Sequence, residues 1–259
     1  MKENEREVLN AAVMAGRILL ESGAEIFRVE DTMGRMIKKY GIESSSSVVF
    51  SNALFITSGN EKEKYFAKVM HIPISASRLD KVAAINQLSR EIEANGYPIS
   101  EVKEKLYEIQ NMPQKPEIFR ILASGIGSGC FCYLFAGNLA DCLAAFLAGC
   151  ILYAYIIFIS NRYLSKMVAN ITGSALVTFL AILLYHFFVG DHLNQMVIGS
   201  IIPLLPGVSF TNSIREFAEG DYISGSVRLL DALLVIFSIA IGVGLVFSIY
   251  NRLTGGGML

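Results

Sequence analysis

The stretch Leu229-Leu-Asp-Ala-Leu-Leu-Val-Ile-Phe-Ser-Ile-Ala-Ile-Gly-Val-Gly-Leu-Val-Phe-Ser-Ile-Tyr250 decides the class of this protein. Its one charge, Asp231, lies near its start. A helix crosses a bilayer core with roughly 20 apolar residues, and a charge at its centre costs about 2.5–3.5 kcal/mol on insertion scales, so such a run belongs in lipid. Working outward, Asp141–Ser160 and Ile171–Val189 have the same character. The charges lie elsewhere: residues 1–117 hold 16 of the 22 Lys/Arg and 17 of the 23 Asp/Glu. The sequence therefore predicts an α-helical polytopic membrane protein. An N-terminal α+β cytoplasmic domain occupies residues 1–116 and a transmembrane domain residues 117–259.

Five spans are expected, at Phe119–Ala136, Leu139–Ser160, Met167–Val189, Leu193–Phe210 and Leu229–Tyr250. Lys115 and Arg120 flank the first, Arg162 and Lys166 separate the second from the third, and Arg215 and Arg228 separate the fourth from the fifth. The intervening loops, Gly137-Asn138 and Gly190-Asp191-His192, carry no Lys or Arg. The positive-inside rule then places the head in the cytosol and the C-terminus outside, with Arg252 alone dissenting. The start, Met1-Lys-Glu-Asn-Glu-Arg-Glu, leads into an amphipathic segment and not into the apolar core of a cleavable signal. Gly125-x-x-x-Gly129, with Ser124, Gly127 and Ser128, and Gly242 with Gly244 mark faces where helices approach closely.

The head alternates periods. Val8, Ala11, Ala12, Ala15 and Leu19 recur at helical spacing up to Ser22-Gly23, and Ile26, Val29, Met33, Met36 and Tyr40 do so up to Gly41. Val48–Phe50, Ala53–Thr57 and Lys64–Met70 then read as a small antiparallel sheet. A third helix is predicted over Leu79–Ala94, closed by Asn95-Gly96, and a fourth over Glu101–Met112 with Ser100 as its cap. Pro113 and Pro116 mark the linker into the membrane.

A formal net charge of −1 gives no reason to expect a nucleic-acid partner. Cys130, Cys132, Cys142 and Cys150 lie in apolar runs without C-x-x-C spacing, so they read as packing residues, with no metal and no cofactor expected. No Ser-His-Asp order, HExxH, P-loop or GxGxxG is present, so no catalytic residue is assigned and the chain does not read as an enzyme.

The chemistry concentrates between Pro203 and Arg228. Pro203 and Pro206 remove backbone donors inside an apolar run and Gly207 loosens the same turn. Freed carbonyls at membrane depth require burial in protein or a wet cavity. Ser209, Thr211, Asn212, Ser213 and Arg215 follow at once. A broken helix beside hydroxyl and amide groups is how many transporters build a substrate site. The substrate-binding candidates are accordingly Pro206, Gly207, Ser209, Thr211, Asn212, Arg215 and Arg228, with Arg215 or Arg228 attracting a carboxylate. Asp141 and Asp231, charges near span ends, are candidates for proton coupling. Arg228 and Asp231, three residues apart, also suit a plain ion pair. In the head, Glu25 and Arg28 are spaced to pair across one turn, Glu30 lies on another face, and Arg78-Leu-Asp80 forms a second polar cluster. Glu25, Arg28, Glu30 and Arg78 are candidates for a gating surface.

These residues also carry a resemblance. Ser22-Gly-Ala-Glu-x-x-Arg28-Val-Glu30-x-Thr-Met33, the later Arg78, and Leu205-Pro-Gly207-x-x-x-Thr211-Asn212-x-Ile-Arg215 followed by Gly220-Asp221 and Ser224-Gly225 resemble the threonine/serine exporter family. The resemblance runs over nearly the whole chain in order. It implies a secondary exporter of small polar metabolites, threonine and serine or a dicarboxylate such as succinate, in the bacterial cytoplasmic membrane and driven by the proton gradient. Long members of the family carry about ten spans. A chain with five resembles the larger subunit of a split form, similar to the succinate-exporter branch, whose partner is a second small membrane subunit; a homo-oligomer is also open. The competing reading is a membrane-anchored sensor whose head binds a ligand.

Overall fold

In the computed structural model, which describes residues 3–59, 66–73, 77–160, 164–187 and 189–254, the chain is mostly helical with one small sheet. Lys64, Tyr65, Arg162 and the Gly255–Gly257 tail lie outside the described residues. By internal contacts the chain divides into two units, one of residues 1–113 with 208–229 and one of residues 114–207 with 230–259.

The first unit is built around α1 (Glu3–Glu21), whose Leu9, Ala12, Ala15, Ile18 and Leu19 are all buried. A helix apolar on so many sides must be enclosed, and α2 (Ile26–Lys39), α3 (Leu79–Asn95), α4 (Ile99–Gln110) and the sheet enclose it. Gly16 sets the spacing: a Cβ there would collide with Met33 Sδ and come within 2.9 Å of Leu54 Cδ1. The sheet is antiparallel in the order β1 (Ser45–Phe50), β2 (Ala53–Ser58), β3 (Phe66–His71), with Val49 opposite Leu54 and Leu54 opposite Met70. The predicted helices and sheet are present. The start of α4 differs from expectation, because Pro98 and not Ser100 is the cap. Its φ of −62° and ψ of 146° fix an extended entry, and its carbonyl already accepts from Glu101 and Val102.

The second unit contains α5 (Glu117–Leu134), α6 (Leu139–Tyr155, running on as a π-helical turn Ile156–Ser160), α7 (Lys166–His186) and α8 (Leu193–Ile201), which ends in a 3₁₀ turn Ile202–Leu204. Leu205 and Pro206 interrupt the run before α9 (Gly207–Ala218), and α10 covers Tyr222–Thr254. Among the described residues, three helices are long and apolar enough to cross a membrane: Leu139–Ile159, Lys166–His186 and Tyr222–Thr254. There are four if Leu193–Leu204 and Gly207–Ala218 count as one interrupted span. The first expected span falls outside this set, because Glu117, Arg120 and the Gly/Ser residues of α5 dilute its apolarity. Those small residues pack within the chain. A Cβ at Gly129 would lie 3.1 Å from the Cys142 carbonyl, and one at Gly149 would run into Ser128. Ser124 Oγ donates to the Gly149 carbonyl at 3.0 Å. Gly242 likewise sits against Ser174 and Ile171, whereas nothing approaches Gly244 within 4 Å.

Candidate functional site: a carbonyl turn held by amide and guanidinium groups

The site begins with how α1 ends. Gly23 adopts φ +77°, which turns the chain out of the helix. The Gly23 N–H donates to Leu20 O and the Ala24 N–H to Leu19 O, the paired bonds of a Schellman ending. The carbonyls of Ser22, Gly23 and Ala24 are thereby left to find donors outside α1. Each has one. The Arg78 backbone N–H donates to Ser22 O at 3.0 Å, Asn212 Nδ2 to Gly23 O at 3.0 Å, and Arg228 NH2 to Ala24 O at 2.8 Å.

Glu25 follows, extended, as the cap residue of α2. Its carboxylate accepts from Arg28 Nε at 3.3 Å and pairs with the Arg215 guanidinium. One carboxylate is thus shared by two cations, and Arg215 is half exposed. Beside it lies Glu216, 1% exposed, with its carboxylate 3.0 Å from Arg228 Nε and at the Ile26 N–H that opens α2. The positive end of the helix dipole favours an anion there. Neither Glu216 oxygen gains a well-aligned hydrogen bond among the described residues, and the Ser224 hydroxyl is also buried without one. Desolvated groups left short of partners hold free energy that a rearrangement can release.

Three devices place these side chains. Asn212 and Ser213 share the buried face of α9 with Glu216, one turn further on. Gly220, at φ +88°, ends that helix, and Asp221 Oδ1 accepts the Ser224 N–H at 3.1 Å to open α10. Gly225 lets the Phe217 ring pack close, since a Cβ there would lie 3.0 Å from Cδ1. Arg78 adds a brace: its side chain grips Asp80 through two nitrogens (2.8 and 2.9 Å) and donates to the Met112 carbonyl at 3.2 Å. The Arg78 hydrogen bonds hold the Asp80 carboxyl down at about 2. Glu30 accepts the Val49 N–H at 3.0 Å; burial, seconded by the charge of Asp221, still raises its carboxyl above the ordinary range.

The structure thus brings Glu25, Arg28, Arg78, Asn212, Arg215 and Arg228 into one cluster. Thr211 is exposed and Ser209 half-buried, while Pro206 lies in the break and Gly207 opens α9. The expected Arg228–Asp231 pair is replaced: Arg228 pairs with Glu216, and Asp231 with Lys166 Nζ at 2.6 and 2.7 Å. Three residues along a helix allow a contact, but burial of Glu216 demands a cation, and Arg228 supplies it. Glu216 itself escaped the sequence reading, although its position four residues after Asn212 places it on the same face.

Asp141, the other charge singled out, sits in a different setting. It is fully buried and forms a capping box with Asn138, each side chain accepting the other's backbone N–H at 2.8 Å. It also accepts the Asp191 and His192 N–H groups at 2.7 and 2.9 Å and lies 2.8 Å from His192 Nδ1. No group of three or more metal-binding side chains occurs among the described residues.

Comparison with known proteins returns one family. Residues 10–250 match the threonine/serine exporter family model, ThrE. The "Threonine/serine exporter" of Corynebacterium glutamicum is 25% identical over 251 residues, covering 92% of this chain but 50% of that protein. The chain therefore spans about half the length of that relative. The "Probable succinate transporter subunit YjjP" of Escherichia coli strain K12 is 21% identical over 250 residues, covering 96% of this chain and 97% of the relative. The "Pheromone-regulated membrane protein 10" of Debaryomyces hansenii is 23% identical over 242 residues, or 24% of its length. No solved structure matches the chain.

Proposed function

As the chain belongs to the threonine/serine exporter family, whose members are membrane transporters and not enzymes, we propose that it is the larger subunit of a two-part, proton-coupled exporter. Its cargo is a small polar carboxylate, threonine and serine or a dicarboxylate. The Escherichia coli relative, matched over 97% of its length, bears the name of a transporter subunit, which supports a second membrane protein as partner. The five-span topology with a cytosolic head rests on the loop charges.

The observation that carries the reading is Glu25 held between Arg28 and Arg215. Two guanidinia around one carboxylate form a recognition site already occupied by a carboxylate of the protein. Substrate takes the place of Glu25: its carboxylate engages the fork of Arg215, and Asn212, Ser209 and Thr211 supply amide and hydroxyl groups. Release of Glu25 frees the start of α2, next to the Asn212 and Arg228 bonds to the turn, so binding loosens the latch. Substrate then moves on past the Pro206-Gly207 break. We assign proton coupling to Asp231, which pairs with Lys166. Both oxygens of Asp141 are committed to N–H groups of two loops, which suits a clasp.

The test is efflux of labelled threonine, serine and succinate from cells expressing the chain with and without the partner membrane protein. Efflux requires both chains and is lost with Arg215→Gln. Undiminished efflux in that variant, present at normal abundance, removes Arg215 from the pathway.

A further inference from the structure

A concave site lies in the first unit, formed by residues that the exporter reading leaves unused. It is a cleft of about 540 Å³ between α1, β3 and α4. Small-molecule sites usually measure roughly 300–1,000 Å³. Three cations from three elements line it: Arg17 of α1, Lys68 of β3 and Lys103 of α4. Asn10, Tyr107 and Gln110 supply amide and phenol groups, and Val13 and Met70 an apolar floor.

No carboxylate lines this cleft among the described residues. Lys68 Nζ donates to Asn10 Oδ1 at 3.0 Å, which holds the ammonium against α1. Arg17 and Lys103 are steadied by Glu21 at 2.6 Å and Glu7 at 3.0 Å, neither of which lines the cleft. Low-dielectric walls carrying charges of one sign focus the field on the space between them. An ordinary solvated face intersperses the two signs; here the acids stand outside and the cations line the concavity.

We propose that this cleft binds a small organic dianion, bearing either two carboxylates or a phosphate. The Arg17 fork takes one anionic group in bidentate fashion, Lys68 and Lys103 neutralise the other, and the floor receives a short carbon skeleton. The site also has a route to the transport latch. Glu21, the partner of Arg17, directly precedes Ser22, whose carbonyl begins the turn held by Arg78, Asn212 and Arg228. A ligand that draws Arg17 away from Glu21 acts on the last turn of α1.

The test is isothermal titration calorimetry on the full chain in detergent carrying Arg215→Gln, which takes the transport site out of play, with succinate and glycerol 3-phosphate as dianions and threonine as a zwitterion. At least one dianion binds with one-site stoichiometry, and the stronger of the two identifies the anionic group. Lys68→Ala and Lys103→Gln each weaken it about tenfold, the scale of one lost charge-assisted contact. Lys68→Arg retains binding and shows that the fold is intact. A dianion that binds the wild-type chain but not the Arg215→Gln chain sits at the transport site and overturns the proposal. So does heat from neither dianion, equal binding of threonine, or affinity unaffected by both lysine variants.

Discussion

Among the described residues, the carboxylates of Asp141 and Glu216 are equally hidden from water and are held in opposite ways. Asp141 is ringed by the backbone N–H groups of Asn138, Asp191 and His192 at 2.7–2.9 Å, donors that cannot swing away. Glu216 relies on a side chain, Arg228, and neither of its oxygens gains an aligned hydrogen bond among the described residues. Backbone donors make a fixed structural node. A side-chain pair drawn from different segments makes a contact that can open. Glu25, shared by Arg28 and Arg215, is the more exposed version of the second kind.

The comparison can be tested by removing one partner at a time. The largest loss is expected for Arg228→Met, which strands the Glu216 charge and should cost about 3–5 kcal/mol in folded stability. Adding Glu216→Met should recover most of it, because a well-packed apolar pair substitutes for a buried ion pair at little cost. Thermal denaturation of the detergent-solubilised chain measures both. Asp141→Ala comes next, at about 1–3 kcal/mol for the buried donors left without an acceptor. It should depress stability without a selective loss of efflux per folded molecule. Asn212→Ala gives up one amide–carbonyl bond, about 1 kcal/mol, and should loosen the turn at Gly23, read as faster amide exchange over residues 22–26. The smallest effect belongs to Asp80→Asn. The Asp80 carboxyl sits at about 2, below its unfolded value, so its contribution is complete above about pH 4 and lost only as pH falls toward 2. The pH profile of efflux between 5 and 8 should therefore match the wild type.

The helical periods of α1 and α2, the alternation of the sheet and the long apolar runs were readable in the sequence because each is a local pattern. The Gly125–Gly129 pair announced a close helix contact, which lies within the chain between α5 and α6; Gly242 instead packs on α7, and Gly244 makes no such contact among the described residues. Less was visible where partners are remote. Asn212 and Gly23 are separated by 189 residues and Arg228 and Ala24 by 204, and no spacing rule connects them. The reading that gave Arg228 to Asp231 failed for the same reason: proximity along a helix is visible in a sequence, and the desolvation of Glu216 is not. The Leu205-Pro206 break was foreseen. That the segment following it packs with residues 1–113 was beyond local pattern.

The central claim is that Arg215 exchanges Glu25 for the carboxylate of the substrate. Its most direct test compares Glu25→Gln with Arg215→Gln in efflux of labelled threonine, serine and succinate, at matched abundance and with the partner membrane protein present. An exposed pair contributes only about 0–1 kcal/mol, so both variants should fold. The account predicts that Arg215→Gln abolishes efflux while Glu25→Gln, freed of the competing carboxylate, binds substrate more tightly and leaks. Equal, unimpaired efflux from both variants would contradict it.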